Sequence, residues 1–179
     1  TGFGKNEAML KARVNSKPGR RLYHQVEFKG GISTEFSNET YLGLAPDDFA
    51  DTPYRRYAAS QKGRMDWIRS QVQASYLLLA GDLVEFKLTG YRHDFDRSWR
   101  KFNAFRGGPN LESVLGANPG GQSEIFLAIL RGEEDSASDD QALLIGTNHR
   151  TYVSQGVQTA VAVYPETKYV DQKIEVGAR

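Results

Sequence analysis

The sequence predicts an all-β chain: an antiparallel up-and-down sheet of about six strands, part of a transmembrane β-barrel with two long extracellular loops. Three observations carry this reading. Apolar and polar residues alternate with period two over most of the chain, as two-faced strands require. The connections between the alternating stretches run short, long, short, long, short. And no stretch approaches the ~20 consecutive apolar residues of a membrane helix, whereas a barrel strand crosses with only ~9–11 alternating ones.

The strands follow in order. Over 7–15, Ala8, Leu10, Ala12 and Val14 share one face, and Glu7, Met9, Lys11, Arg13 and Asn15 share the other. Over 21–33, Leu22, Val26, Phe28 and Ile32 oppose Arg21, Gln25, Glu27 and Lys29. Over 64–80, Ile68, Val72, Ala74, Tyr76 and Leu78 oppose Arg69, Gln71, Gln73 and Ser75. From 82 onward, Val84, Phe86 and Leu88 oppose Glu85, Lys87, Thr89 and His93. Val153, Val157, Val161 and Val163 form the apolar row of the fifth strand, and Val170, Ile174, Val176 and Ala178 that of the sixth.

The connections sharpen the fold class. Residues 16–20, 81–82 and 165–168 are short and carry Gly or Pro, the chemistry of hairpin turns. Residues 34–63 and 103–150 are long. In a meander this parity places every short turn at one end and both long loops at the other, the asymmetry of outer-membrane barrels. Loops beyond ~12–15 residues are uncommon in compact domains unless functional. Inside the second, Leu111, Val114 and Leu115, then Ile125, Phe126, Ile129 and Leu130, have helical spacing, with Gly132 as a stop. These apolar residues are expected to pack the loop on itself, with the acidic stretch from Glu133 to Asp140 as a solvated tip. Tyr76 fits an aromatic girdle, but Trp67, Tyr152, Tyr164 and Tyr169 fall on the polar face by strict alternation, so either a bulge shifts the register or those rings point to the lumen.

Composition excludes several classes. A chain of 179 residues with a formal net charge of +1 is not built for broad electrostatic attraction to nucleic acid or acidic lipid. Without cysteine it holds neither a disulfide framework nor a thiolate metal site. The polar, glycine-containing start lacks the apolar core of a signal peptide. Six strands fall short of the eight in the smallest bacterial barrels, and both ends stop inside the pattern, so the whole of 1–179 is expected to be a partial barrel domain.

The loop sequences are more specific. Ser37-Asn38-Glu39-Thr40-Tyr41-Leu42-Gly43-Leu44 is followed by Asp48-Phe49, by Pro53-Tyr54-Arg55-Arg56-Tyr57-Ala58-Ala59-Ser60 and by Met65-Asp66-Trp67. Then come Tyr91-Arg92-His93-Asp94-Phe95, Arg97-Ser98-Trp99-Arg100-Lys101, Leu130-Arg131-Gly132 and Val153-Ser154-Gln155-Gly156-Val157-Gln158. In this order the series resembles the mid-barrel region of TonB-dependent outer-membrane receptors, nearest the ferric dicitrate transporter-like branch. The resemblance implies a 22-stranded barrel of the cell outer membrane, plugged by an N-terminal domain, that imports a ferric siderophore or ferric citrate with energy from the TonB complex. The expected surroundings are outer-membrane lipid and lipopolysaccharide. The plug, its TonB-contacting segment and the remaining strands lie outside this chain, which would not transport by itself.

Ferric hydroxycarboxylates are anionic, and arginine forks bind carboxylate oxygens with charge assistance. The candidate ligand residues are therefore Arg55, Arg56, Tyr57, Arg92, Arg97, Trp99 and Arg100, with Lys101, Arg106, Tyr54 and Phe102 interleaved. The alternative for each is bracing of neighbouring loops and strands, for instance Arg97 with Asp94 or Asp96, or contact with lipopolysaccharide phosphates. The motif words themselves are expected to hold loop shape while cargo varies. Arg69, Gln71, Gln73, Glu85 and Lys87 are expected on the lumen face against plug and water; their mixed charge argues against a simple ion-selective pore.

No catalytic residue, resident cofactor or metal site is expected. His93 and Asp94 point to opposite faces of one strand. No nucleophile elbow appears, and Gly107-Gly108 and Gly120-Gly121 lack a following Walker lysine. Two rival classes remain: a soluble secreted β-sandwich for binding or adhesion, whose apolar face a second sheet would cover, and an outer-membrane enzyme barrel, which would need a nucleophile–base pair near the rim.

Overall fold

The computed structural model describes residues 2–116 and 120–179; the part of the second long loop at 117–119 lies outside the described residues. Six strands form one antiparallel sheet in sequential order: β1 (Phe3–Asn15), β2 (Leu22–Ser37), β3 (Arg64–Ala80), β4 (Val84–Phe105), β5 (Leu143–Val163) and β6 (Ile174–Ala178). Among the described residues three short α-helices, α1 (Pro46–Asp51), α2 (Leu111–Val114) and α3 (Gln122–Arg131), and two single 3-10 turns, Ala58–Ser60 and Asp139–Gln141, interrupt it. No helix among the described residues is long and apolar enough to cross a membrane.

The β3 bounds match the alternation. β5 starts ten residues before Val153, within what the sequence predicts as loop. Leu143-Leu144-Ile145 breaks the period-two pattern, which hides the strand. Pairing nevertheless continues, with Arg106 N–H donating to Ala142 O at 2.9 Å and Gly107 N–H to Asp140 O at 2.9 Å. At Gly146 the missing side chain leaves room for Asn103, whose amide nitrogen lies 2.1 Å from where a Cβ would stand. β6 is shorter than predicted. Residues 164–173 form the connection, in which the Thr167 hydroxyl donates to Val170 O, so Val170 joins a turn rather than the ladder.

The chain divides into two compact units. One comprises Thr1–Lys5, Glu35–Trp67 and Arg97–Arg150; the other comprises Asn6–Thr34, Ile68–Asp96 and Thr151–Arg179. Both long connections belong to the first, hereafter the loop unit. All three short connections belong to the second, the strand unit.

The loop unit has its own dry core: Leu42, Ala45, Tyr57 and Ala59 from the first long segment, Phe102 and Phe105 from β4, and Val114, Phe126, Leu127, Ile129 and Leu130 from the second. The helical spacing read from the sequence is the cause. In α3 it turns Phe126, Ile129 and Leu130 inward, together with Leu127, whereas Ile125, expected on that face, stands 50% exposed; Gly132 ends the helix in the left-handed region at φ 82°. A Cβ at Gly132 would come within 2.6 Å of the Ala58 methyl, so the stop also lets α3 approach the first segment.

The strand unit is built differently. Its polar row is internally bonded: Lys11 and Arg13 pair with Glu27 at 3.1 and 3.0 Å, and the Ser75 and Thr89 hydroxyls meet at 3.1 Å. Its apolar row stands open. Val14 is 76% exposed, Val26 53%, Val72 48% and Val157 62%.

Candidate functional site

In the loop unit, Asp48 is the electrostatic centre. It is buried on α1, and three donors converge on its carboxylate. Arg131 Nε donates at 2.8 Å, Arg55 Nη1 at 3.1 Å, and the Tyr57 hydroxyl donates to Oδ2. Ala45 N–H donates to the Tyr57 oxygen at 2.9 Å, so the phenol relays between backbone and carboxylate. Burial pushes the Asp48 pKa up, but the Tyr57 hydrogen bond and the Arg131 and Arg55 charges outweigh it and hold it below the ordinary aspartate value. Burial, then the Asp48 carboxylate, raises Tyr57. Arg55 Nη2 also reaches Glu133 at 3.4 Å. The two long segments are thereby tied at their middles.

Arg56 is likewise occupied: its Nη2 donates to Glu39 O at 2.9 Å and to the carbonyls of Ser60 and Gly63, closing the end of the first segment. Of the predicted ligand residues, Arg55, Arg56 and Tyr57 thus spend polar atoms inside the chain. Arg92 lies in the strand unit, where it grips Asp94 through contacts of 2.8 to 3.1 Å. Asp96 accepts from the Thr151 hydroxyl at 2.8 Å.

Arg97, Trp99 and Lys101 alternate along β4 and gather at one place with Tyr41. Lys101 Nζ lies 3.5 Å from the Tyr41 ring centroid and 5.1 Å from that of Trp99. The Arg97 guanidinium lies 5.7 Å from the Trp99 centroid, and Tyr41 meets Trp99 edge-on at 5.3 Å. Tyr41 is 62% exposed, so one side of the cluster is open. Trp99 Nε1 and Arg97 Nε are buried donors without an acceptor among the described residues. Arg100, one residue out of phase, donates to Lys62 O at 3.0 Å instead. Chemically this is a cation-rich patch floored by two rings, able to bind an oxygen-rich anion.

Sequence reasoning on ligand residues passed over Tyr41, Asp48 and Arg131. All three stand in the motif words, which supplied the available signal.

The polar face of the strand unit carries the residues expected toward the lumen. It is hollowed into an open trough of about 910 Å³, lined among others by Gln73, Glu85 and Lys87. Arg69 and Gln71 line a smaller recess, and the Arg69 guanidinium lies 5.5 Å from the Phe95 centroid. Two of the rings that alternation assigns to the polar face meet residues of that face, whereas Tyr169 lies in the connection 164–173 and is 85% exposed. Tyr152 packs on Phe95 at 6.1 Å, and the Tyr164 hydroxyl donates to Glu85 at 3.1 Å. His24, Tyr76 and Phe86 cluster on the apolar face, with Tyr76 6.1 Å from His24 and 6.3 Å from Phe86.

Comparison with family models, curated proteins and solved structures returns no match to this chain.

Proposed function

We propose that the chain is a barrel segment of a TonB-dependent outer-membrane receptor that takes up a ferric chelate, ferric citrate or a siderophore. The observation that carries the membrane part is the open apolar row of the strand unit. Its stretches run from residue 22 to 32, 68 to 78 and 153 to 163. Each is close to the ~9–11 residues with which a tilted strand crosses hydrocarbon. Water is a poor solvent for such a row, at roughly 25 cal/mol per Å² of apolar surface left exposed. A soluble sandwich would need a second layer over it. The opposite face is polar and internally bonded, as a lumen wall requires.

The receptor part rests on the ordered motif series and on the loop unit, which is a folded body rather than two slack connections. Within it, the Tyr41–Trp99–Lys101–Arg97 patch supplies charge for an anionic chelate. Arg55, Arg56 and Tyr57 serve that patch indirectly, by holding the loops that frame it.

The test uses the full-length receptor. Charge reversal at Arg97 or Lys101 is expected to lower ferric-chelate uptake by about tenfold, equivalent to ~1.4 kcal/mol, with barrel assembly intact. Reversal at Arg55 or Arg56 is expected to disorder the loops and lower uptake through that loss. Uptake unchanged in the Arg97 and Lys101 variants would remove the ligand assignment.

A further inference from the structure

We propose that the first short connection of the strand unit, together with the His24–Tyr76 pair, forms a headgroup site for an anionic phospholipid; this rests on the membrane reading above. Residues 16–21 read Ser-Lys-Pro-Gly-Arg-Arg: three cations with no acidic residue among them. Lys17, Arg20 and Arg21 are all exposed. The other short connections differ. Residues 81–83 carry only an acid, Asp82, and residues 164–173 balance Lys168 and Lys173 against Glu166 and Asp171, with Lys173 bound to Glu175 at 2.6 Å.

The basic turn is fixed in place. Ser16 N–H donates to His24 O at 2.8 Å, and His24 N–H donates back to Ser16 Oγ at 3.1 Å. Gly19 takes φ 80° at the tip. Gly81 N–H donates to Arg21 O at 2.8 Å, which ties the turn to the next hairpin. The same clasp carries His24 into the apolar row. There its Nδ1 meets the Tyr76 hydroxyl at 2.7 Å, with the Phe86 ring 6.3 Å from that of Tyr76; Leu22, two residues before His24 on β2, is 51% exposed.

The sequence of surfaces is therefore apolar row, then rings with polar tips, then cations. It matches the order of a bilayer edge: acyl chain, interface, phosphate. Tyrosine and other amphipathic rings favour the interface. Arginine forks bind phosphate oxygens bidentately, and lysine adds a point charge. A free phosphate would use only the last layer, whereas a phospholipid uses all three.

The experiment places the full-length protein in vesicles of equal phosphatidylcholine and phosphatidylglycerol, then extracts it gently and weighs the retained lipids by native mass spectrometry. The wild type is expected to retain phosphatidylglycerol preferentially. Each of Lys17→Gln, Arg20→Gln and Arg21→Gln is expected to cut that preference on the order of fivefold, the ratio equivalent to ~1 kcal/mol per basic residue beside an anionic surface. Tyr76→Phe should weaken retention of both lipids, and Lys62→Gln, in the loop unit, should change nothing. Equal retention of the two lipids by inserted wild type, or full preference in the triple variant, overturns the headgroup site and leaves the membrane reading standing. Failure of the wild type to enter vesicles at all overturns both.

Discussion

The two units place the same residue types under opposite conditions. In the loop unit, Val114 and Leu130 are 0% exposed, enclosed by aliphatic and aromatic neighbours. In the strand unit, Val14 and Val176 stand 76% and 71% exposed, on rows that alternate cleanly. One unit closes its apolar surface with its own side chains; the other offers it outward. Regular alternation is what separates the second case from scattered surface hydrophobics, which are ordinary on any protein.

The comparison can be broken most sharply at its extremes. Leu130→Ala opens a cavity in the loop unit and is expected to cost about 2–5 kcal/mol. Trp67 and Trp99 both belong to that unit, so the difference in fluorescence between the full-length protein and its Trp67→Phe, Trp99→Phe variant reads the stability of the unit during denaturation. An unshifted transition would mean that the core does not hold the loops. Val72→Arg tests the opposite face: near a bilayer midplane the expected cost is ~2–4 kcal/mol, seen as loss of the folded form on unheated gels. Undiminished assembly would argue that water, not lipid, meets that row.

Asp48→Asn is expected to cost about 1–3 kcal/mol of loop-unit stability, since Arg55, Arg131 and Tyr57 lose a charged acceptor. The wild type should mimic this on acidification. The folded pKa of Asp48 lies below its unfolded value, so the stabilisation is fully present above the ordinary aspartate range, near pH ~4, and fades as pH falls through the folded pKa. Loop proteolysis at pH 7 and below that range measures it, and a pH-independent cleavage rate would contradict it. The smallest structural effect is expected from Lys101→Gln, ~0.5–1 kcal/mol for a half-buried cation–ring contact. If that variant takes up chelate normally, the patch holds the rings together and does no more.

The sequence made the strand unit readable because its physics is local. Every second residue reports the face, and β3 begins and ends where Arg64 and Ala80 bound the pattern. The α3 stop at Gly132 was legible for the same reason. Two features were not. The early part of β5 mixes Leu143-Leu144-Ile145 with residues polar on both faces, and Leu144 and Ile145 stand 41% and 38% exposed, so no single apolar row marks the strand. The Asp48 network joins residues 83 apart, between Asp48 and Arg131, so no spacing rule reaches it. Arg55 and Tyr57 are ligand candidates by sequence and partners of Asp48 in the structure, because composition alone does not separate a guanidinium or a phenol that meets a buried carboxylate from one that meets cargo.

The convergence on Asp48 carries an evolutionary consequence. Its counter-charges come from both long segments, so neither can drift alone: replacing Arg131 leaves the enclosed anion with Arg55 and the Tyr57 hydroxyl and loosens the tie between the segments. Across descendants of this gene, positions 48, 55 and 131 should covary as a set, while the fully solvated Tyr54 beside them varies freely.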